Sequence, residues 1–561
     1  MQAIVDLVEK AVKKLGWKAA AVEVSRTEAQ FGDYSTNVAM LLASSVGENP
    51  RAIAEKLAAE LSGNEFFNSV EVAGAGFINF RLSDAALARE VKSINAEPDR
   101  YGASKLYAGK VVVSEFSDPN PFKVLHVGHL YTSVIGDAIS NIVAAAGGQV
   151  HRVNFGGDVG LHVAKTMWAI IQDLGGELPE KLADIPVEER SEWMGRCYVT
   201  GTRTYEDDAV AKETITENNR KIYNLHREDD HDSPFAQIYW TCRGWSYEYF
   251  DAFYARIGVK FEKYYPESEI AEVGLKTVLA QRDKGVYEDS DGAVIFNGEK
   301  YGLHTRVFIN SNGIPIYEAK DVGLAIKKWD DYHFDKSIIL TDAEQTDYMK
   351  VVMKSMEQYM PESVARTLHL THGTVKLPGA EKMSSRKGNF LRAVDVIDMV
   401  AGEYKKAQGR TSDELVLGAI KYAFLKNRLG PNLSFDPETS VSMHGNSGPY
   451  LQYAAVRANA ILQKIGEFEA VEINDLDEQE RSLVVKLTEF SSVVDGATTE
   501  LAPQVLCTYL YELAQVFNRF YENSPVANSP RSAIRAQLVQ AYGYILRRGL
   551  NLLGITVPKK M

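Results

Sequence analysis

Cysteine is nearly missing from this chain: Cys197, Cys242 and Cys507 are the only three in 561 residues. They lie far apart and form no Cys-x-x-Cys pair, which excludes a disulfide framework and a thiolate zinc site. No stretch approaches the ~18 uninterrupted apolar residues of a membrane-spanning helix. The opening QAIVDLVEKAVKKLG carries charge throughout, unlike a signal peptide. A strict GxGxxG is also lacking, which counts against a dinucleotide oxidoreductase. Basic residues are in deficit, 62 Lys and Arg against 75 Asp and Glu for a net charge of −13, so the protein does not coat nucleic acid indiscriminately. A local basic surface remains open. With 45% hydrophobic and 24% charged residues the balance is globular, and the length predicts roughly three or four domains. We expect a soluble cytoplasmic protein without a membrane partner.

The stretch that organises the rest is SDPNPFKVLHVGHLYTSVIG at 117–136. It follows the β-branched run Val111-Val112-Val113 and leads into a segment with apolar residues at helical spacing, Leu130, Val134, Ile135, Ala138, Ile139 and Ile142. His126, Gly128 and His129 therefore sit where a parallel strand hands over to a helix, the edge at which open α/β sheets bind ligands. Two imidazoles there can each offer an N–H to developing negative charge, and Gly128 removes a side chain that would block a nucleotide. That chemistry suits the α-phosphate of ATP under attack; a pair of helix-start histidines satisfied by backbone is the structural alternative.

Residues 1–95 read as a small α/β domain, with helical patterns at 4–15 and 52–61 and an alternating strand VEVAGAGFINFRL at 70–82 entered through Gly74 and Gly76. Phe77 and Asn79 share one face of it, either as a platform for a nucleobase or as a packed aromatic beside a satisfied amide. Residues 105–400 repeat strand, turn and helix, with a second unit at 150–174 through FGGDVG, which predicts a Rossmann-like parallel sheet. Within it, about 175–265 is inserted. Its first part, 175–235, is rich in charge and weakly periodic, and reads as a surface insertion; HREDDHD at 226–232 is a solvated charge run rather than a metal cluster. Glu267 stands at a strand exit. Tyr317 and Asp321, four apart, can face one pocket, and Asp342, Gln345 and Tyr348 follow the buried-type strand KSIILT. In GAEKMSSRKGNF at 379–390, Lys382, Arg386 and Lys387 could fold over a polyphosphate. From 405 to 561 the pattern is a helical bundle in which basic and aromatic residues interleave, among them Tyr453 and Arg457.

HVGH at 126–129 together with KMSSR at 382–386 resembles the paired motifs of class I aminoacyl-tRNA synthetases. FGDYSTNVAM, GFINFRL, DPNPFKVLHVGH, GPYLQYAAVRA and the ending LLGITVPKKM narrow the resemblance to the arginyl family. It implies a ligase that forms arginyl-adenylate from L-arginine and ATP, Mg²⁺ accompanying the ATP, and passes the arginyl group from it to the 2′-hydroxyl of tRNA-Arg, activation requiring bound tRNA. It implies ATP contacts from His126, Gly128, His129, Lys382 and Ser384, with Lys123 as a further catalytic cation. Asn120 would hold the α-amino group; Glu267 and Asp321 would grip the guanidinium, completed by Tyr317 and Gln345. Phe77 and Asn79 would meet the tRNA D-loop, and the bundle, with Tyr453, Arg457 and Met561, the anticodon. No protein-held metal is implied, and a monomer is expected. The chain departs from the family pattern at Tyr131, at Val159 in the Gly-Asp-x-Gly turn, and at Ala455. A small-molecule nucleotidylyltransferase and a class I synthetase for another amino acid are the alternative readings.

Overall fold

The computed structural model describes residues 2–18, 21–378 and 391–561, and these form two compact units. One unit joins residues 1–106 to 443–561; the other holds 107–442. The expected Rossmann-like parallel sheet, small N-terminal α/β part and C-terminal helical bundle are all present.

In the first unit, an antiparallel sheet has the strand order Val24–Arg26, Tyr34–Thr36, Phe77–Leu82, Phe67–Ala73. Helices Gln2–Lys14, Val38–Val46 and Pro50–Leu61 precede or interleave with these strands. The strand expected over 70–82 is in fact a hairpin. Gly74 and Gly76 both have positive φ, and a Cβ on Gly76 would lie 3.0 Å from Pro50, so the chain reverses where only glycine fits. The C-terminal part is five helices, Gly448–Ile465, Glu478–Thr488, Phe490–Glu500, Pro503–Asn523 and Ser532–Leu552. Polar bonds tie the two parts together. The Arg481 guanidinium donates to Asp33 at 2.5 Å and to Asp84 at 2.7 Å, and Tyr34 shares a hydrogen bond with Thr488 at 2.9 Å.

In the second unit, five parallel strands, β1 (Val111–Glu115), β2 (Gln149–Gly156), β3 (Lys263–Pro266), β4 (Lys336–Asp342) and β5 (Thr367–His372), run in the order β5-β4-β1-β2-β3. The chain leaves β1 first toward β2 and later returns on the other side as β4, so the order reverses between β1 and β4. A ligand crevice is expected outside the carboxyl ends of these two strands. Val112 and Val113 are fully buried, as a central parallel strand covered on both faces requires. Helix α1 (Val127–Ala145) follows β1 and α2 (Leu161–Leu174) follows β2.

The charged stretch 175–235 is not a loose surface insertion. It folds as α3 (Arg190–Asp207) and α4 (Ala209–Glu228), and with α2 and α5 (Pro234–Ile257) it buries Met167, Ile170, Trp193, Ile215, Ile222 and Tyr239. The expected charge run is tied into this packing: His226 bonds the Tyr239 hydroxyl at 2.7 Å, and Asp230 accepts from the Ser233 hydroxyl at 2.6 Å. Next along the chain come α6 (Glu267–Arg282), α7 (Tyr317–Tyr332) and α8 (Thr346–Glu357). Helix α9 (Asp413–Leu425) belongs to this unit rather than to the later bundle, because its Phe424 packs edge-on against Tyr131 of α1.

Glu480, fully buried in the first unit, accepts from both Arg531 and Arg535, and these guanidinium bonds hold its carboxyl down at about 2 despite burial. A carboxyl depressed in the folded state stabilises it above the ordinary 4.5, and that contribution is lost as pH falls toward 2. Glu480→Gln should therefore cost about 3 kcal/mol at pH 7 and flatten the loss of stability between pH 4.5 and 2. Guanidinium unfolding of both proteins across that range checks it.

Candidate active site

The turn between β1 and α1 is backbone-strained. Ser117, Asp118 and Phe122 all have positive φ, an uncommon state for residues with side chains. Side-chain bonds hold it in place. Asp118 accepts from the Phe155 amide at 2.8 Å, Asn120 Oδ1 from the Gly157 amide at 2.8 Å, and the Phe122 amide donates to Ser246 at 3.0 Å. This fixes Asn120 and Lys123 just ahead of the first helical turn.

His126 is the N-cap of α1. Its Nδ1 accepts from the Gly128 amide at 3.1 Å, while the His126 amide donates to Nδ1 of His129 at 3.1 Å, a reciprocal capping box made of two imidazoles. The rings stack with centroids 3.8 Å apart. Because both Nδ1 atoms are acceptors, a neutral ring must carry its proton on Nε2, leaving two outward N–H donors. Burial and the nearby Lys123 push His126 down to about 4; burial, His126 and Lys123 push His129 well below its ordinary value. Gly128 is needed for a reason the sequence did not supply: a Cβ there would lie 2.8 Å from the His126 ring itself.

Asn120, Lys123, His126 and His129 line one pocket, joined by Val124, Gly195 and Tyr198. Gly195 and Tyr198 come from α3, inside the stretch read as surface. Lys123 lies over the Tyr198 ring at 4.6 Å. Among the described residues no group of His, Cys, Asp or Glu is arranged to hold a metal ion.

Glu267, the first residue of α6, is buried and paired with Lys320 of α7 at 2.5 Å. It meets Asn120 across Gly157: a Cβ on Gly157 would lie 2.8 Å from Asn120 Oδ1 and 3.1 Å from Glu267 Oε1. Burial raises the Glu267 carboxyl and Lys320 opposes the rise. Tyr317 is 60% exposed as a residue; desolvation at its hydroxyl end and then the Glu267 charge raise that hydroxyl. Asp321 accepts from the Tyr348 hydroxyl and lines a cavity with the buried ion pair Glu115–Lys328. Burial, and then Glu115, push Asp321 well above the usual carboxylate range, with a smaller contribution from Glu267.

Glu267 thus borders the histidine pocket through Gly157, while Asp321 lines the cavity with Glu115 and Lys328, and Tyr317, one turn before Asp321 on α7, is exposed. Gln345 is exposed in the turn after β4, and from this region it is Tyr348 that reaches Asp321. Lys382 and Ser384 lie outside the described residues. Tyr131 is buried between His372 and Phe424, so its side chain does not face a phosphate, and Val159 fills the core of the helical layer. Ala455 is also buried. Sequence reasoning missed Lys320, Tyr198 and Tyr223, and noted Tyr348 after the strand without giving it a role; for Lys320 a signal existed, a lysine flanked by Tyr317 and Asp321 on one helical turn.

In the other unit, Phe77 and Asn79 line one groove, with the exposed Phe31 and with Arg26 beside them. Tyr453 is exposed on the helix Gly448–Ile465, and Arg457, one turn on, lies over the Tyr521 ring at 4.6 Å. Met561 is half-buried at the chain end.

Comparison with known proteins matches residues 90–429 to the catalytic domain of the class I (R) tRNA synthetases, 2–82 to the arginyl tRNA synthetase N-terminal domain and 451–561 to the DALR anticodon-binding domain. The chain is 28% identical to an arginine–tRNA ligase of Bacteroides thetaiotaomicron over 96% of both chains. It is 29% identical to that of Fusobacterium nucleatum over 100% of this chain and 99% of the other. Arginyl-tRNA synthetase of Thermus thermophilus superposes with a TM-score of 0.80 at 25% identity over the full length of both. The Plasmodium falciparum structure shares the fold at 0.79 and 20% identity, over 100% and 99%.

Imidazole ¹⁵N spectra test the histidine pair. His126 and His129 should report the Nε2–H tautomer throughout pH 5–8, with His126 titrating near 4; a transition near 6.5 at either ring would contradict the capping geometry.

Proposed function

The chain belongs to the class I tRNA synthetases for arginine, and from that premise we propose how its residues divide the work. The enzyme activates L-arginine with ATP and charges tRNA-Arg. The arginine carboxylate attacks the α-phosphate and pyrophosphate leaves; a hydroxyl of the terminal ribose, in this reading the 2′-hydroxyl and with tRNA already bound for the first step, then attacks the carbonyl of the adenylate, taking the arginyl group and releasing AMP. Neither step needs a protein nucleophile; positioning and charge stabilisation suffice.

His126 and His129 present their Nε2–H groups to the α-phosphate oxygens as charge develops there. Being neutral, they donate without competing for a proton. Gly128 lets the His126 ring lie flat against the helix start. Lys123 supplies positive charge to the phosphates, aided by Lys382 and Ser384 on the pyrophosphate side. Asn120 Oδ1 accepts one bond from Gly157 and keeps a second lone pair for the arginine α-ammonium. Glu267 and Asp321 take the guanidinium, whose five donors suit two carboxylates and the Tyr317 ring, with Gln345 closing the pocket. Mg²⁺ enters as the counter-ion of the ATP phosphates.

Phe77 and Asn79 stack and read a D-loop base, and Tyr453, Arg457 and Met561 serve the anticodon. The boundaries 1–95, 105–400 and 405–561 describe these tasks rather than independently packed bodies. We place the enzyme in the cytoplasm as a monomer. The observation that carries the reading is the junction at Gly157, where Asn120, one wall of the histidine pocket, meets Glu267.

Arginine-dependent ATP–pyrophosphate exchange, run across the amino acids with and without transcript tRNA, tests the assignment. Asp321→Ala should lower kcat/KM for arginine at least ~100-fold, since a buried charged partner is lost, and leave tRNA affinity within about twofold. Unchanged arginine kinetics would remove Asp321 from the pocket.

A further inference from the structure

Glu267 has two oxygens, and the structure uses them differently. Oε2 accepts from Lys320 Nζ at 2.5 Å, and both side chains are about 5% exposed or less. Oε1 lies on the Gly157 side, toward Asn120 and the pocket. Helices α6 and α7 approach closely enough for this bond because they cross through Gly274 and Gly323: a Cβ on Gly274 would sit 1.9 Å from the Ala319 carbonyl, and one on Gly323 2.8 Å from the Gly274 amide. Lys320 Nζ also lies 5.4 Å from the centre of the Tyr317 ring.

Resting on the assignment of Glu267 to arginine, we propose that Lys320 is a positioning residue for substrate recognition, holding Oε2 so that Oε1 is presented, ionised, to the guanidinium. The physical need is plain. A carboxylate removed from water binds a proton more readily, and a protonated carboxyl is a poor partner for a cation. A permanent ammonium on its far oxygen keeps the charge in place before arginine arrives. Burial raises Glu267 and Lys320 works against it, while burial opposes the Lys320 charge and Glu267 overrides it, leaving Lys320 above its ordinary value. A different arrangement, in which the ammonium merely occupies the guanidinium's seat and is expelled by substrate, makes the opposite prediction.

Pyrophosphate exchange with Lys320→Met separates them. Positioning requires kcat/KM for arginine to fall roughly tenfold or more, chiefly through KM, because a charged hydrogen bond no longer orders the acceptor. The KM for ATP should stay within twofold. The acid limb of kcat/KM should also move to higher pH, since Glu267 without its cation holds a proton more tightly; Lys320→Arg should restore both. If Lys320→Met does not fold, Lys320→Gln, which keeps a donor on Oε2 without charge, goes through the same assay with the same upward shift expected. An arginine KM that is unchanged or lower, or a raised KM with an unmoved acid limb, overturns the proposal. Glu267→Gln run in parallel keeps the two readings apart: if it leaves the arginine KM unchanged, the assignment of Glu267 has failed, whatever Lys320 does.

Discussion

The ion pair between Glu115, at the carboxyl end of the central strand, and Lys328, on α7, fixes the helix that carries Tyr317, Lys320 and Asp321 to the sheet. Both partners are buried, so the pair is a weak source of stability; replacing it with apolar residues of similar volume would be roughly neutral. What it supplies is position. With Lys328 held at the sheet, the preceding turns of α7 lie at the strand-order reversal between β1 and β4. Asp321 then receives Tyr348, and Lys320 reaches Glu267 at the start of α6. Desolvated carboxylates gather along this edge, Glu115, Asp118, Asp321 and Glu267, matched by two lysines. Burial raises Asp118, Asp321 and Glu267 toward their protonated forms, and a cationic side chain arriving there would favour the ionised ones.

On the other side of Asn120 the problem is inverted. An anionic phosphate needs donors that do not themselves lose or gain a proton. The first turn of α1 answers this with backbone: two amides occupy both Nδ1 atoms, so both Nε2–H groups point away from the helix. The strained turn 117–122 brings Asn120 and Lys123 to the same pocket. Helix start, ring stacking and burial act together, and none of them alone would fix the tautomer.

The sequence was most legible where period and chemistry agreed. The β-branched run before HVGH, the second strand and helix through FGGDVG, and the common face of Phe77 and Asn79 all follow from side-chain alternation or helical spacing, and all three are present. It was least legible where charge hid periodicity. Helices α3 and α4 bury Trp193, Ile215 and Ile222 behind a surface rich in Glu, Asp, Lys and Arg, so a stretch read as surface turned out to supply Tyr198 and Tyr223 to the site. The partner of a buried carboxylate was also invisible. Lys320 is 53 residues from Glu267, and only the close crossing of two helices at Gly274 and Gly323 brings them together. After β4, Gln345 is exposed in the turn and Tyr348 bonds Asp321, a division of two neighbouring side chains that spacing alone does not give.

The central claim is that one cavity holds a nucleotide against two neutral imidazoles and a guanidinium between two carboxylates. The most direct measurement is a crystal structure of the enzyme with a non-hydrolysable arginyl-adenylate analogue. The account predicts the acyl-phosphate mimic within hydrogen-bond distance of Nε2 of His126 and His129, and the guanidinium bonded to both Glu267 Oε1 and Asp321. An analogue bound with its guanidinium away from either carboxylate, or with its phosphate mimic remote from both rings, would contradict it.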